Sequence, residues 1–161
     1  MDTDIKNQLR KQYKNIRKNV SFRKEKEQAI TEKLLPIIRN AKTVFCYESI
    51  GGEVSTSDLI AQISEFADVY IPIVDGKNMR LYCRKTDKYT DTCEYTIVPL
   101  IAFSESRDRI GFGGGYYDRY LAGNITRSIG IAFDEQQCEP FETEITDIKP
   151  DIIITPTRIL K

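Results

Sequence analysis

"TVFCYESIGGEVSTSDLIAQISEFADVYIPIV", from Thr43 to Val74, decides the fold class. Its first residues, Thr43 to Ile50, are rich in β-branched and aromatic side chains, the composition of a buried strand. "GGEV" turns the chain. "STSDLIAQISEFA" reads as a helix, with Ser55 and Asp58 at the spacing of a capping box. "DVYIPIV" is a second apolar strand. Strand, helix and strand in that order form a crossover, the connection that parallel strands require.

The alternation continues on both sides. "DGKN", Asp75 to Asn78, predicts a hairpin turn into "MRLYCRK". "KYTDTCEY", Lys88 to Tyr95, has no period and reads as loop. "TIVPLIAF", Thr96 to Phe103, reads as one strand, a helix opens over Tyr116 to Leu121, and "RSIGIAF" and "DIIIT" are further apolar strands. Upstream, Ile5, Leu9, Tyr13, Ile16 and Val20 recur at the spacing of one apolar helix face. Lys6, Arg10 and Lys14 make a basic stripe beside it. Ser21 is placed to cap a second helix reaching about Ile38, with Pro36 kinking its last turn or ending it early. Strands that are apolar at consecutive positions are covered on both faces. The expected architecture is therefore a single α/β domain over residues 1–161, three-layered, with a largely parallel sheet and helices on both faces.

Composition limits the chemistry. The 161 residues are 40% hydrophobic and 30% charged, ordinary for a globular domain. No apolar run is long enough to cross a bilayer, and the N-terminus lacks the apolar stretch of a secretory signal. A cytoplasmic, monomeric protein without membrane or nucleic-acid partners is expected. Cys46, Cys83, Cys93 and Cys138 form no C-x-x-C pair and read as free thiols. The chain has no histidine. Ser-His-Asp and Cys-His catalysis and histidine-ligated metals are thereby excluded. Carboxylates, cations, backbone amides and a bound metal remain, and phosphoryl transfer is the large reaction class for which they suffice. The net charge is zero, yet residues 1–42 hold 12 Lys+Arg against 5 Asp+Glu. That asymmetry predicts a basic arm against an acidic body, or an anion-binding surface.

"RIGFGGGYYDRYL", Arg109 to Leu121, places glycines 111, 113, 114 and 115 between an apolar strand and a helix. There, backbone N–H groups and a helix N-terminus converge on an anion. The spacing fits neither the P-loop, which needs Gly-Lys before Ser or Thr, nor the dinucleotide fingerprint, whose third glycine is replaced by Tyr116. Arg109 is suited to pair with phosphate. Asp118 is either a Mg²⁺ ligand or a first-turn acid complementing the helix dipole. Tyr116 and Tyr117 either stack on a flat ring or pack into the protein.

This stretch resembles the signature of the 5-formyltetrahydrofolate cyclo-ligases, also called methenyltetrahydrofolate synthetases. The likeness extends through "KNQLRKQYKNIR", "GGEVST", "VYIPIV", "IGIAF" and "DIKPDIIIT", nearly the whole chain. It implies an enzyme that converts 5-formyltetrahydrofolate to 5,10-methenyltetrahydrofolate with ATP and Mg²⁺, the formyl oxygen being phosphorylated and N10 closing the ring. By the same resemblance, Lys6 and Arg10 contact the ATP phosphates, together with Arg109, Ile110, Gly111, Phe112, Gly113, Gly114, Gly115, Tyr116 and Tyr117. Arg109, Tyr116 and Asp118 carry catalysis, and Asp118 and Asp147 hold the metal. Glu53, Glu48 and the loop residues Phe112 to Tyr116 face the reduced folate. The chain departs from the family pattern at Ser104, where an Asp is usual, at Glu48, where an apolar residue is frequent, and in a short connection around Lys85 to Tyr95. An ATP-dependent enzyme with another acceptor, or a nucleic-acid-binding module built on the basic helix, are the rival readings.

Overall fold

The centre of the fold is five parallel strands, β1 (Thr43–Cys46), β2 (Asp68–Asp75), β5 (Tyr95–Val98), β8 (Arg127–Ile131) and β9 (Ile152–Ile154). Antiparallel neighbours extend them at both ends. β3 (Asn78–Cys83) and β4 (Lys88–Thr90) follow β2 at one edge, and β10 (Ile159–Leu160) lies beside β9 at the other. The eight strands run in the order β10-β9-β8-β5-β1-β2-β3-β4. The structure is a computed structural model and describes residues 3–161.

Side chains alternate across the sheet, as the pleat demands. Val44, Cys46, Val69, Ile97, Ile129, Ile131 and Ile154 point to one face, where Ile30, Leu34 and Ile38 of α2 (Arg23–Ile38) and Leu59 and Ile63 of α3 (Ser57–Ile63) cover them. Phe45, Tyr70, Leu81 and Cys83 point to the other, under Tyr120 and Leu121 of α4 (Tyr116–Gly123). The three layers and the mostly parallel sheet are those expected. Phe45 anchors the second face: Tyr117 stacks on it at 5.9 Å and Tyr120 meets it edge-on at 5.3 Å. Truncating such a fully buried ring costs about 3–5 kcal/mol.

Several local expectations give way. The stretch 96–103 is not one strand: β5 ends at Val98, Pro99 interrupts the ladder, and Ala102–Phe103 (β6) pairs instead with Arg109–Ile110 (β7) as a separate two-stranded ribbon. A proline cannot donate to a central ladder, so the chain leaves the sheet there. Strand β1 likewise stops at Cys46 rather than Ile50. Lys88–Thr90, expected as loop, is held as an edge strand by its register with Leu81–Cys83. Ser21 does not cap the second helix, which starts at Arg23 after Phe22 in a left-handed conformation with φ 55° and makes no side-chain cap. Nor do Ser55 and Asp58 form a capping box: α3 begins after Thr56, whose hydroxyl donates instead to the Tyr47 carbonyl at 2.8 Å. The second helix runs through Pro36 to Ile38. The hairpin of β2 and β3 is as expected, with Asp75 opposite Asn78 and Gly76 at φ 61° in the first central position.

The first helix, α1 (Thr3–Lys18), packs Leu9 and Tyr13 against Ala102, Ile110 and Cys138. Its inward face is not the purely apolar one expected. Ile5 is exposed, while Arg17 is 4% exposed and Lys6 and Arg10 are half-buried. Among the described residues no helix is long and apolar enough to cross a membrane.

Candidate active site

In an open α/β sheet, ligands bind beyond the carboxyl ends of the strands, where neighbouring connections leave in opposite directions. Here that point lies between β1 and β5: β1 pairs with β2 on one side and β5 on the other. The turn carrying Glu53 follows β1, and the ribbon and glycine loop follow β5. The break at Pro99 turns the chain into the crevice and frees the Pro99 carbonyl, which accepts from Arg109 Nη1 at 3.1 Å.

The glycine loop is one wall of a cleft of about 880 Å³. The cleft is also lined by Lys6 and Arg10 from α1, by Pro72, Val74 and Met79 from the β2–β3 hairpin, and by Glu144 to Ile148. Gly113 has φ 100° and Gly115, at the start of α4, φ 73°. L-residues resist both conformations, so the glycines are required by the backbone itself. A Cβ at Gly113 would stand 3.4 Å from the Arg10 guanidinium, which shows how closely α1 approaches the loop.

Arg10 Nε donates to the Gly111 carbonyl at 2.8 Å. Lys6 Nζ donates to Asp147 Oδ2 at 2.7 Å and stands 3.8 Å from Glu144 Oε1. Arg109 lies beneath the loop, its side chain 6% exposed, with Nη2 3.4 Å from Asp118 Oδ1 and Nε buried without a partner among the described residues. Burial pulls its pKa below the ordinary arginine value, while Asp118 and Asp147 pull it back up. Asp118 Oδ1 also accepts the Ile148 amide at 3.1 Å. Burial raises the Asp147 carboxyl, but the Glu144 amide, Lys6 and Arg109 outweigh it and hold the pKa below the usual carboxylate range. The carboxylates of Asp118 and Asp147 thus converge on one cationic cluster. Each keeps one oxygen with no hydrogen bond among the described residues.

The two tyrosines differ. Tyr117 is half-buried and stacks on Phe45, with burial pushing its pKa far up, and it also lines the cleft. Tyr116 lines the cleft, its hydroxyl donating to the Gly76 carbonyl at 3.0 Å. Arg119, unremarked in the sequence, ties the loop to the hairpin by donating to the Gly114 and Lys77 carbonyls, each at 2.9 Å. It also covers the Tyr116 ring at 5.0 Å.

Lys6, Arg10, Arg109 to Tyr117, Asp118 and Asp147 are therefore brought together around one cleft. Glu48 and Glu53 are not among its lining residues. Glu48 makes a two-pronged ion pair with Arg84, at 2.8 and 3.0 Å, on the surface. Glu53 is 5% exposed, accepts the Ile50 amide at 2.7 Å, and is raised in pKa by burial against the opposing pull of that amide and of Arg17. Lys14, grouped with Lys6 and Arg10 in the sequence, is exposed and sits 5.3 Å over the Phe112 ring.

Among the described residues no group of three or more Asp, Glu, Cys and His side chains is assembled for a metal. A hard cation bound beside a polyphosphate takes only one or two protein carboxylates, the remaining oxygens coming from phosphate and water. The pair Asp118 and Asp147 fits that requirement.

Comparison with known proteins identifies the family and the fold. The family model described as the 5-formyltetrahydrofolate cyclo-ligase family matches residues 2–95 and 82–156. A 5-formyltetrahydrofolate cyclo-ligase of Mycoplasma pneumoniae is 31% identical, over 92% of this chain and 97% of the relative. One of Haemophilus influenzae is 29% identical, over 92% and 96%. The solved structure of a 5,10-methenyltetrahydrofolate synthetase from Mycoplasma pneumoniae superposes with a TM-score of 0.85 at 28% identity, over 97% of this chain and 99% of that one. That of an Aquifex aeolicus 5,10-methenyltetrahydrofolate synthetase gives 0.85 at 25% identity, over 96% and 91%. The mostly parallel sheet and its covering helices have their counterpart in these structures, and the chain belongs to the 5-formyltetrahydrofolate cyclo-ligase family.

Proposed function

We propose that this enzyme converts 5-formyltetrahydrofolate to 5,10-methenyltetrahydrofolate, consuming ATP in the presence of Mg²⁺ and releasing ADP and phosphate. The observation that carries the ATP reading is the meeting of Arg10 with the loop, through its bond to Gly111 and its contact at Gly113. Cations from α1 and backbone amides from a loop 101 residues away share one cleft, as a triphosphate requires.

The chemistry asks little of side-chain acids and bases, which suits a chain without histidine. The formyl oxygen attacks the γ-phosphorus and ADP leaves; N10 then adds to the activated formyl carbon, and phosphate leaves with the N10 proton. Lys6, Arg10 and the loop amides align the phosphates and offset the charge that builds on them. Asp118 and Asp147 would hold Mg²⁺, which when bound neutralises phosphate charge. The wall of Pro72, Val74, Met79 and Tyr116 offers a flat ring an apolar surface. Glu53, with both oxygens as acceptors once ionised, suits the paired N–H donors of a pterin edge.

Incubation of the purified chain with Mg-ATP and 5-formyltetrahydrofolate, followed by the absorbance of the methenyl product, tests the proposal. Turnover dependent on all three components is expected. A folded preparation that shows none removes the assignment. Thermal stabilisation by Mg-ATP without any by reduced folates would point to a different acceptor.

A further inference from the structure

Three cations of α1 turn toward the protein, and the third was not part of the basic stripe visible in the sequence. Lys6 and Arg10 face the cleft; seven residues beyond Arg10, on the same side of the helix, Arg17 is buried. Its Nη1 donates to the Leu100 carbonyl at 3.0 Å. Its Nε is buried with no hydrogen-bond partner among the described residues. An unpartnered guanidinium nitrogen away from water is costly, so its position calls for an explanation.

What surrounds Arg17 belongs to the acceptor side. A Cβ placed on Gly52 would lie 3.4 Å from Arg17 Nε and 3.1 Å from the Lys18 backbone, so the turn bearing Glu53 rests directly on this end of α1. The guanidinium also lies 5.8 Å from the Phe112 ring at the tip of the glycine loop. Glu53 is itself buried. It accepts from its own turn through Oε1, and its main-chain carbonyl is held by Arg23 at 2.9 Å. No ion pair within 4 Å joins its carboxylate to a cation among the described residues, and the positive charge of Arg17 acts on it from beyond that distance. Burial raises the Glu53 pKa, and Arg17 opposes that rise while leaving the carboxylate without an ion-pair partner among the described residues.

Resting on the reading that Glu53 meets the acceptor heterocycle, we infer that Arg17 is the positioning residue of the acceptor half of the site. It keeps Glu53 an acceptor at both oxygens and ties that turn and the loop tip to the helix whose other cations meet the nucleotide. The groups facing Glu53 are Arg17 from α1, Arg23 from α2, Tyr47 after β1 and Tyr117 from α4. Both tyrosines are pushed up by burial and stay neutral. Arg23 is committed to main-chain carbonyls of residues 17, 52 and 53. Arg17 is therefore the cation whose loss the carboxylate would register.

The test uses Arg17→Gln and Arg17→Lys in the full chain. In the absence of substrates, carbon-13 titration of the Glu53 carboxyl, assigned with Glu53→Gln, should show its pKa rising by about one unit in Arg17→Gln and recovering most of that shift in Arg17→Lys. In turnover, KM for 5-formyltetrahydrofolate should rise roughly tenfold in Arg17→Gln, while KM for ATP stays within about twofold. The acid limb of kcat/KM for the folate should move to higher pH. An unmoved Glu53 titration in a folded variant overturns the inference, as does an equal rise in both KM values. Should Arg17→Gln not fold, Arg17→Met, which keeps bulk without the charge, is read in the same way, and an unchanged folate KM in it overturns the inference. If the unaltered chain shows no turnover, the functional reading fails, whereas the titration still judges Arg17.

Discussion

Arg109 Nη2 stands 3.4 Å from Asp118 Oδ1, so the residue that enters the glycine loop is bound to the first turn of the helix that leaves it. The pair spans nine residues and closes the loop from beneath. Arg109 also donates to the Pro99 carbonyl and lies 5.8 Å from the Tyr117 ring. Its contribution is therefore to the shape of the proposed phosphate site as well as to its charge, and the two can be separated.

Asp118→Asn should retain the fold and the Ile148 amide bond through its remaining oxygen, yet lose turnover by about 100-fold, the scale for one electrostatic group in such a site. Arg109→Ala should lower Tm as well, because removing one partner of a buried pair leaves the other exposed to the desolvation cost. Thermal melts and initial rates on both single variants and the double variant would measure the coupling, expected at about 1–2 kcal/mol. Additive losses would show that the contact contributes nothing beyond its parts.

Lys6→Ala and Arg10→Ala should each weaken ATP binding by about tenfold, with affinity falling more steeply with salt in the unaltered chain than in either variant. Isothermal calorimetry at two salt concentrations reads this directly. Equal affinities throughout would place the triphosphate elsewhere.

Asp147 supplies a pH test. Its folded pKa lies below the ordinary value, so its stabilising contribution is present above the unfolded carboxyl pKa and lost as pH falls through the folded one. Melting curves between about pH 3 and pH 6 should fall less steeply for Asp147→Asn than for the unaltered chain, the difference opening below about pH 4. Parallel curves would contradict the assigned interaction with Lys6.

Gly113→Ala and Gly115→Ala place an L side chain at φ 100° and 73°. Each should cost about 1–2 kcal/mol of stability or distort the loop. Denaturant midpoints together with ATP affinity distinguish the two, and a variant unchanged in both would show that the loop tolerates other conformations.

The four cysteines should be inert. All are buried, and burial pushes Cys93 up to about 12 and Cys138 up to about 11. Thiolate is the reactive form, so a thiol reagent at pH 8 should titrate well under one equivalent before denaturation and four after it.

The strand–helix–strand unit from Thr43, the hairpin at Gly76 and the demand for glycine at positions 113 and 115 were legible because each rests on local periodicity or local backbone angles. The absence of histidine likewise narrowed the chemistry without reference to any neighbour. Local rules failed where tertiary contacts outbid them. Lys88–Thr90 has no strand period, and only pairing with β3 orders it; Thr96–Phe103 looks continuous, and only Pro99 in a central ladder breaks it. On α1, two overlapping stripes of helical period left open which cations face inward. Packing against the ribbon turned Arg17 in and left Lys14 out. Lys6 and Asp147 are 141 residues apart, so nothing but the folded sheet brings their charges to 2.7 Å. Periodicity tells which residues share a side of an element, whereas the direction that side faces depends on what covers it, and that is decided only when the chain closes on itself.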